Sequence, residues 1–291
     1  MPHLDAYDII SIVGIPIFVI LLACAIILCL KHGFHKSAGW SFLALLASWR
    51  IASFGVRLAL VNDPTNTSLW KGWLTLDSIG LGPMILLLLS LLLRVFESIN
   101  RQGFVVLKPL YQRLIQTLVL VAVICGIVGG TNSSYDIVDG AIVAEYTTLT
   151  RVGVGLMIAA IALLCGEAFI ALRSQGHIAH GEHRILLGVV ASIPFVIARL
   201  VYSCLTVFGG VTPNVWLHLF LGILTELVVM SVLEVLGFML GKAPQKMKGD
   251  ADPEMMVNSD RRERVRKTTA KLLENHRKKR RSGLLVALVR G

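Results

Sequence analysis

Charged residues are scarce in this sequence. They make up 16% of its 291 residues, whereas about a quarter of the residues in a soluble domain are charged. Hydrophobic residues make up 55%, and the mean hydropathy is +0.73. The scarcity of charge argues against the one or two soluble domains that the length alone would allow.

Cysteines are absent from the loops. Cys24, Cys29, Cys125, Cys165 and Cys204 all fall within apolar runs, where a cysteine behaves as a small apolar residue. A disulfide framework needs cysteines in loops that face an oxidising compartment, so we expect none.

The sequence also lacks the short motifs of several enzyme classes. It contains no nucleotide-binding loop, no HExxH zinc helix and no GxSxG nucleophile turn. We therefore expect no cofactor and no ATP-driven or hydrolytic activity.

What the chain does contain is long apolar runs. Crossing a hydrocarbon core takes about 20 apolar residues in a helix. Such runs lie at residues 9–30, 39–61, 73–93, 114–130, 148–172, 185–208 and 215–240, numbered here as spans 1 to 7. The predicted fold is all-α: a polytopic bundle of seven transmembrane helices over residues 1–240, followed by a tail at residues 241–291.

The formal net charge of +10 is concentrated in that tail. Residues 1–240 carry 13 Lys and Arg against 12 Asp and Glu, whereas residues 241–291 carry 15 against 6. In the bundle, the loops after spans 1, 3 and 5 carry Lys31, Lys36, Arg94, Arg101, Lys108, Arg113, Arg173 and Arg184. Only Lys71 and Arg151 lie at the opposite ends of the spans. Because basic loops stay in the cytosol, this asymmetry predicts an external N-terminus and a cytosolic tail.

Two glycosylation sequons agree with this orientation. Asn66 begins one between spans 2 and 3, and Asn132 begins the other between spans 4 and 5, both on the predicted external side. We therefore predict glycosylation at Asn66 and Asn132. Before span 1 there are Asp5 and Asp8 but no basic residue, which argues against a cleaved signal peptide.

Several ionisable residues lie inside the predicted spans. Each costs about 2.5–3.5 kcal/mol near the bilayer centre on insertion scales, so each needs a partner or a wet cavity. Arg50, Arg199 and Glu226 lie about ten residues from the external ends of spans 2, 6 and 7, and so share a level to within one helical turn. We predict that both arginines neutralise Glu226, with Arg57 and Asp77 as an upper pair.

These residues and Tyr202 form the candidate ligand-binding site: Arg50, Arg57, Asp77, Arg199, Tyr202 and Glu226. The alternative is that the charge pairs only orient the helices, because paired charges in membranes serve both purposes. Pro83 in span 3 and Pro194 in span 6 predict kinks near this level. Glu167 and Glu234 share a further level near the cytosolic face.

The cytosolic segments give weaker signals. His177, His180 and His183 recur at three-residue spacing, but their loop has no thiol, so we favour a solvated loop and expect no metal. The basic tail favours adsorption to anionic lipid headgroups. Its run Arg277–Arg281 would suit a nuclear-import signal in a soluble protein, but it follows seven spans, and we expect no nucleic-acid partner.

Several short motifs carry a resemblance to a known family. They are Lys31–Trp40 (KHGFHKSAGW), Trp49-Arg50, Pro194-Phe195, Ala198-Arg199-Leu200, Tyr202 and Glu226. Over about residues 8–240 the chain resembles a family of fungal seven-helix integral membrane proteins carried as a domain of unknown function. That resemblance implies the fold and topology and brings no assigned activity. More remotely, the layout is similar to fungal lipid-translocating exporters and to fungal receptor-like seven-helix proteins.

Two classes of function stay open. The first is a receptor-like or transporter-like bundle that binds, senses or moves a small apolar or amphipathic molecule, with a role in a secondary-metabolite pathway. The main class of G-protein-coupled receptors is disfavoured. Its span 3 ends in an acidic-Arg-aromatic triplet, which Leu93-Arg94-Val95 matches only at the arginine, and span 7 of this chain lacks an Asn-Pro hinge. The second is an intramembrane enzyme similar to fungal terpene cyclases, with Asp77 and Glu226 as proton donors; neighbouring arginines argue against it.

Overall fold

The structure is a computed structural model, and it describes residues 4–32, 38–101, 109–138, 141–174, 183–209 and 214–240. Two predictions lie outside these residues: the properties of the tail, residues 241–291, and the histidine loop with His177 and His180. Bundle and tail form separate units that divide after Lys242.

Helices account for nearly all of the described bundle. They are α1 (Ala6–His32), α2 (Ala38–Asn62), α3 (Thr67–Ile79), α4 (Leu81–Arg101), α5 (Pro109–Asn132), α6 (Thr148–Arg173), α7 (His183–Val207), α8 (Val215–Leu217) and α9 (Thr225–Met239), with a π-helical segment at His218–Leu224. Together they make seven stretches that are long and apolar enough to cross a membrane. The predicted seven spans are confirmed, and the chain is a multi-pass membrane protein.

Two spans are composite. Span 3 runs over Thr67–Asn100 and consists of α3 and most of α4, so it is longer at both ends than predicted. Span 7 runs over Val215–Met239 and consists of α8, the π-helical segment and α9. π-Helical turns within α-helices are rare and occur frequently at functional sites.

Span 3 is interrupted beside Pro83. Helix α3 ends at Ile79, Gly80 forms the junction, and Pro83 is the third residue of α4. Proline has no backbone N–H, so the carbonyl of Ile79 cannot receive its usual hydrogen bond, and the ring crowds the preceding turn. The irregularity predicted at Pro83 is therefore present as a break between two helices. At Pro194, by contrast, α7 runs unbroken from His183 to Val207, and the kink there stays a prediction.

A two-stranded antiparallel hairpin joins α5 and α6. Strand β1 (Ser134–Val138) pairs with β2 (Ala141–Glu145), in a register that sets Ser134 opposite Glu145. The sequence-based prediction places no strand between spans 4 and 5. The signals of the hairpin were the β-branched residues of both strands and the intervening Asp-Gly pair, a common two-residue hairpin turn. We call this side of the bundle the hairpin end.

Glycines bring spans 3, 4 and 5 close together near the hairpin end. A Cβ atom on Gly129 would lie 2.5 Å from the backbone nitrogen of Thr150, and one on Gly130 would lie 2.9 Å from Thr75 Oγ1. A Cβ atom on Gly126 would meet nothing within 4 Å. Small residues therefore permit close helix packing at Gly129 and Gly130, while Gly126 borders open space.

The opposite end of the bundle is fixed by the motif that follows span 1. Lys31 Nζ donates hydrogen bonds to the carbonyls of Phe238 and Leu240, at 2.9 and 3.2 Å. These carbonyls lie at the C-terminal end of span 7, where a cation is favourable. His32 stacks on Trp40 with ring centroids 5.5 Å apart. The start and end of the run Lys31–Trp40 thus hold spans 1, 2 and 7 together.

Candidate functional site

Four charged side chains from four spans meet inside the bundle. We call Arg50 (span 2), Asp77 (span 3), Arg199 (span 6) and Glu226 (span 7) the ionic cluster. Their exposed fractions are 1%, 6%, 0% and 0%. Side chains buried this completely need their charge and hydrogen bonds satisfied from within the protein.

Glu226 is the centre of the cluster. Arg50 binds its carboxylate in a bidentate manner, with Nε donating to Oε2 and Nη2 to Oε1. Arg199 Nε donates to Glu226 Oε1 at 2.9 Å. Both arginines therefore contact Glu226 as predicted, and the three residues share one level of the bundle. Arg50 Nη1 also donates to Asp77 Oδ1, which joins the two carboxylates through one guanidinium group.

The break in span 3 makes this arrangement possible. Because α3 ends at Ile79, its last carbonyl groups have no partner within the helix, and Arg199 Nη2 donates to the carbonyl oxygen of Asp77. The absence of a side chain at Gly80 lets the Glu226 carboxylate pack against the junction. Pro83 thus produces a helix end whose free carbonyl group accepts a hydrogen bond from the buried Arg199.

The cluster balances its own charge. Two guanidinium groups and two carboxylates are joined by charge-assisted hydrogen bonds, so the formal charges of the four side chains cancel. Removing one partner of a buried ion pair leaves an uncompensated charge and costs about 3–5 kcal/mol. The arrangement therefore couples four spans to one another, whatever else it does.

His218 and Tyr202 extend the cluster towards the hairpin end. The distance from Asp77 Oδ2 to His218 Nδ1 is 3.5 Å, and that from His218 Nδ1 to the Tyr202 hydroxyl is 3.1 Å. The Arg199 guanidinium lies over the Tyr202 ring, 4.9 Å from its centroid. The sequence shows His218 as a polar residue of span 7, and it is not among the six predicted site residues. Its position in the π-helical segment could not be read from the sequence.

The predicted pair of Arg57 and Asp77 is wrong. Arg57 Nε donates to Asp8 Oδ1 at 2.9 Å, and Arg57 Nη2 lies 3.6 Å from Asp5 Oδ2. Asp77 instead belongs to the ionic cluster. Counting residues along each span gives depth but not the direction in which a side chain points, and α1 begins early enough to place Asp8 beside span 2.

Aromatic rings enclose the Arg57 guanidinium. Its Cζ atom lies 5.2 Å from the ring centroid of Tyr7, 4.9 Å from that of Trp70 and 5.0 Å from that of Trp73. Cation–π contacts of this kind strengthen when the cation is desolvated, and Arg57 is buried. This second charged site anchors the first turn of α1 to spans 2 and 3.

A cavity adjoins the ionic cluster between spans 3, 4, 5 and 6. Its volume is about 60 Å³. One water needs about 10–15 Å³ by this measure, so the space accepts a few waters or the end of an elongated ligand. The polar side chains that line it are Asp77, Ser78, Tyr146, Thr150, Arg199, Tyr202, Ser203 and Thr206; the rest of the lining is largely apolar, with Gly126, Val154 and Met157 opposite.

The six predicted ligand-binding residues therefore separate into three groups. Asp77, Arg199 and Tyr202 line the cavity. Arg50 and Glu226 lie behind this wall and hold two of its members through hydrogen bonds. Arg57 is bound to Asp8 and lies in a different part of the bundle. The structure thus brings five of the six together, and their role in binding a ligand stays a prediction.

Two further carboxylates differ from the cluster. Glu167 and Glu234 are each 4% exposed, and both oxygens of Glu167 and Oε1 of Glu234 have no hydrogen-bond partner among the described residues. The described residues also contain no group of three or more His, Cys, Asp or Glu side chains placed to hold a metal ion. All five cysteines fall in the described helices, and none is paired.

The two sequons differ in their surroundings. Asn66 is the N-cap of α3: its Oδ1 accepts hydrogen bonds from the backbone nitrogens of Ser68 and Leu69. Its Nδ2 donates to Asp63 Oδ2 at 3.2 Å. Asn132 ends α5 and is exposed.

The chain belongs to the family described as Domain of unknown function (DUF7702), whose model matches residues 4–243. The match covers nearly the same residues as the resemblance noted from the sequence, about 8–240. No curated protein and no solved structure matches the chain at a significant level. Family membership thus supports the extent of the bundle and supplies neither an activity nor catalytic residues.

Proposed function

We propose that this membrane protein binds a small amphipathic molecule in the cavity between spans 3, 4, 5 and 6. The supporting observation is the juxtaposition of a largely apolar wall with a polar wall at Asp77, Arg199 and Tyr202. Most binding sites for small molecules combine apolar walls with a few placed polar groups. A bundle held only by charge pairs would have no need of open space beside them.

We also propose an orientation of the protein in the membrane. The basic loops after spans 1, 3 and 5 face the cytosol, and the hairpin end faces the exterior or the lumen of the endoplasmic reticulum. The cavity then lies in the half of the bundle nearer the exterior, and the basic tail at residues 241–291 meets anionic lipid headgroups. The host membrane is the plasma membrane or that of the endoplasmic reticulum, and the fungal resemblance suggests a role in handling a secondary metabolite.

An intramembrane enzyme of the terpene-cyclase kind is the second candidate. The observation in its favour is that Asp77, His218 and Tyr202 form a chain of polar groups ending at the cavity. Its catalytic carboxyl group must give up a proton, however. Glu226 does not line the cavity, and Asp77, which does, has its two carboxylate oxygens in contact with Arg50 and His218. Binding without chemistry is therefore the function that the geometry supports better.

A deletion strain tests the proposal in cells. Its extracellular and intracellular metabolites would be profiled after complementation with the wild type, with Gly126→Phe, which fills the cavity, or with Gly155→Phe, whose side chain is directed outward. We expect Gly155→Phe to restore the wild-type distribution and Gly126→Phe to fail at equal expression. Accumulation of a precursor with loss of its product would favour the enzyme instead. Full complementation by Gly126→Phe would contradict a role for the cavity.

A further inference from the structure

We infer that the ligand presents an uncharged hydroxyl group to the polar wall of the cavity and carries an apolar body, as a long-chain or polycyclic alcohol does. This inference rests on the proposed function and goes further by specifying the chemical class. The polar wall at Asp77, Arg199 and Tyr202 also includes Ser78, Ser203 and Thr206. The charge of this wall and its hydrogen-bond donors and acceptors indicate that the ligand group bound there is a hydroxyl group.

The charge balance of the ionic cluster disfavours an ionic ligand group. The ionic cluster holds two positive and two negative side chains that neutralise one another. A carboxylate, sulfonate or ammonium group beside Arg199 and Asp77 would add a charge without a counter-charge among the four side chains of the ionic cluster. Such a charge is expensive within a membrane. An uncharged group leaves the balance unchanged.

The hydroxyl groups of the wall offer lone pairs. Ser78 Oγ donates its proton to the carbonyl of Thr75 at 2.8 Å, and Thr206 Oγ1 donates to the carbonyl of Ser203 at 3.0 Å. A hydroxyl group has one proton, so each of these side chains can offer only an acceptor to a ligand. The ligand group must therefore be able to donate.

Arg199 supplies the complementary donors. A guanidinium group has five N–H bonds. Three of them go to Glu226, to Ser203 Oγ at 3.3 Å and to the carbonyl of Asp77, and no partner among the described residues takes the other two. Arg199, Ser203 and Thr206 also share one face of α7, at positions i, i+4 and i+7. The wall thus carries both donors and acceptors, and an alcohol both accepts and donates.

The size of the cavity fits the same class. A volume of about 60 Å³ accommodates a hydroxyl group and the first few carbons of a ligand, so the remainder must extend along the apolar lining. The apolar part of the lining includes Val123, Val154 and Met157. The ligand is therefore amphipathic, with its polar group at one end.

Photoactivatable probes test the inference. Four alkyl diazirines with the same chain would end in an alcohol, a methyl ether, a sulfonate or a quaternary ammonium group, none of which changes its charge near neutral pH. Each would be crosslinked to the full-length protein in lipid nanodiscs, and the labelled peptides identified by mass spectrometry. Gly126→Phe and the outward-directed control Gly155→Phe would be treated in parallel. Thr206→Val removes one acceptor with little change in shape, and serves if Gly126→Phe fails to fold.

We expect the alcohol to label peptides of spans 3 to 6 at least about tenfold more than either ionic probe and severalfold more than the ether. Gly126→Phe should abolish this labelling, Gly155→Phe should retain it, and Thr206→Val should reduce the preference for alcohol over ether. Equal or stronger labelling by an ionic probe or by the ether would overturn the hydroxyl inference and leave the cavity as a binding site. If no probe labels the cavity in a manner sensitive to Gly126→Phe, the proposed function itself fails.

Discussion

The carboxylate of Glu226 packs directly against the Cα atom of Gly80. A Cβ atom at position 80 would lie 2.5 Å from Glu226 Oε1 and 3.1 Å from its carboxyl carbon. The backbone of Gly80 is right-handed, with φ −51° and ψ −27°, so the requirement for glycine is one of space and not of conformation. The break in span 3 and the ionic cluster are therefore parts of one arrangement.

Gly80→Ala is expected to disturb the cluster. The added methyl group forces either the Glu226 carboxylate or the junction of α3 and α4 to move, and overpacking of this kind costs about 1–3 kcal/mol. Thermal unfolding in detergent should show the loss. Gly55→Ala is the matched control, because a Cβ atom there meets nothing within 4 Å. Equal stability of both variants would mean that Glu226 does not occupy this position.

The same substitution should have different effects on two buried glutamates. Glu226→Gln removes a charge that two guanidinium groups require, so we expect a loss of about 3–5 kcal/mol in unfolding free energy. Glu167→Gln removes a charge whose oxygens have no hydrogen-bond partner among the described residues, so we expect no loss. Chemical denaturation in mixed micelles measures both. A large loss for Glu167→Gln would reveal a partner that its surroundings do not indicate.

The partner of Arg57 can be established by double-mutant cycles. Because Arg57 is bonded to Asp8, we expect Arg57→Gln and Asp8→Asn to be coupled by about 0.5–3 kcal/mol in stability. The cycle of Arg57→Gln with Asp77→Asn should be additive within about 0.5 kcal/mol. The opposite pattern would restore the pairing predicted from the sequence.

Glycosylation is expected at Asn132 and not at Asn66. The side-chain amide of Asn66 is held by Asp63 and caps α3, whereas Asn132 is exposed at the end of α5. In a eukaryotic host, Asn132→Gln should remove the shift in gel mobility caused by endoglycosidase, and Asn66→Asp should not. A shift that survives Asn132→Gln and disappears in Asn66→Asp would refute the assignment. The absence of any shift would leave the proposed orientation without this support.

Properties that depend on one segment were predictable from the sequence. Hydropathy along the chain located all seven spans, and counting residues within spans placed Arg50, Arg199 and Glu226 at one level. Pro83 marked the break in span 3, because a missing N–H acts on its own helix. Each of these signals is local.

Properties that depend on how the spans rotate against one another were not predictable. The choice of Asp8 over Asp77 as the partner of Arg57 depends on which faces of spans 1, 2 and 3 meet. The contact of His218 with Asp77 depends on the π-helical segment, and the role of Gly80 on a residue of another span. The hairpin could have been predicted, since the Asp-Gly pair between its strands and the β-branched residues of the strands are visible in the sequence.

The most direct test of a binding cavity beside the ionic cluster is to identify the small molecules that co-purify with the protein from its native membrane. Wild type, Gly126→Phe and Gly155→Phe would be purified at equal yield, and their organic extracts compared by mass spectrometry. The account predicts an amphipathic compound that is stoichiometric with the wild type and Gly155→Phe and depleted from Gly126→Phe, whose side chain fills the cavity. A compound that is retained equally by all three proteins would contradict it.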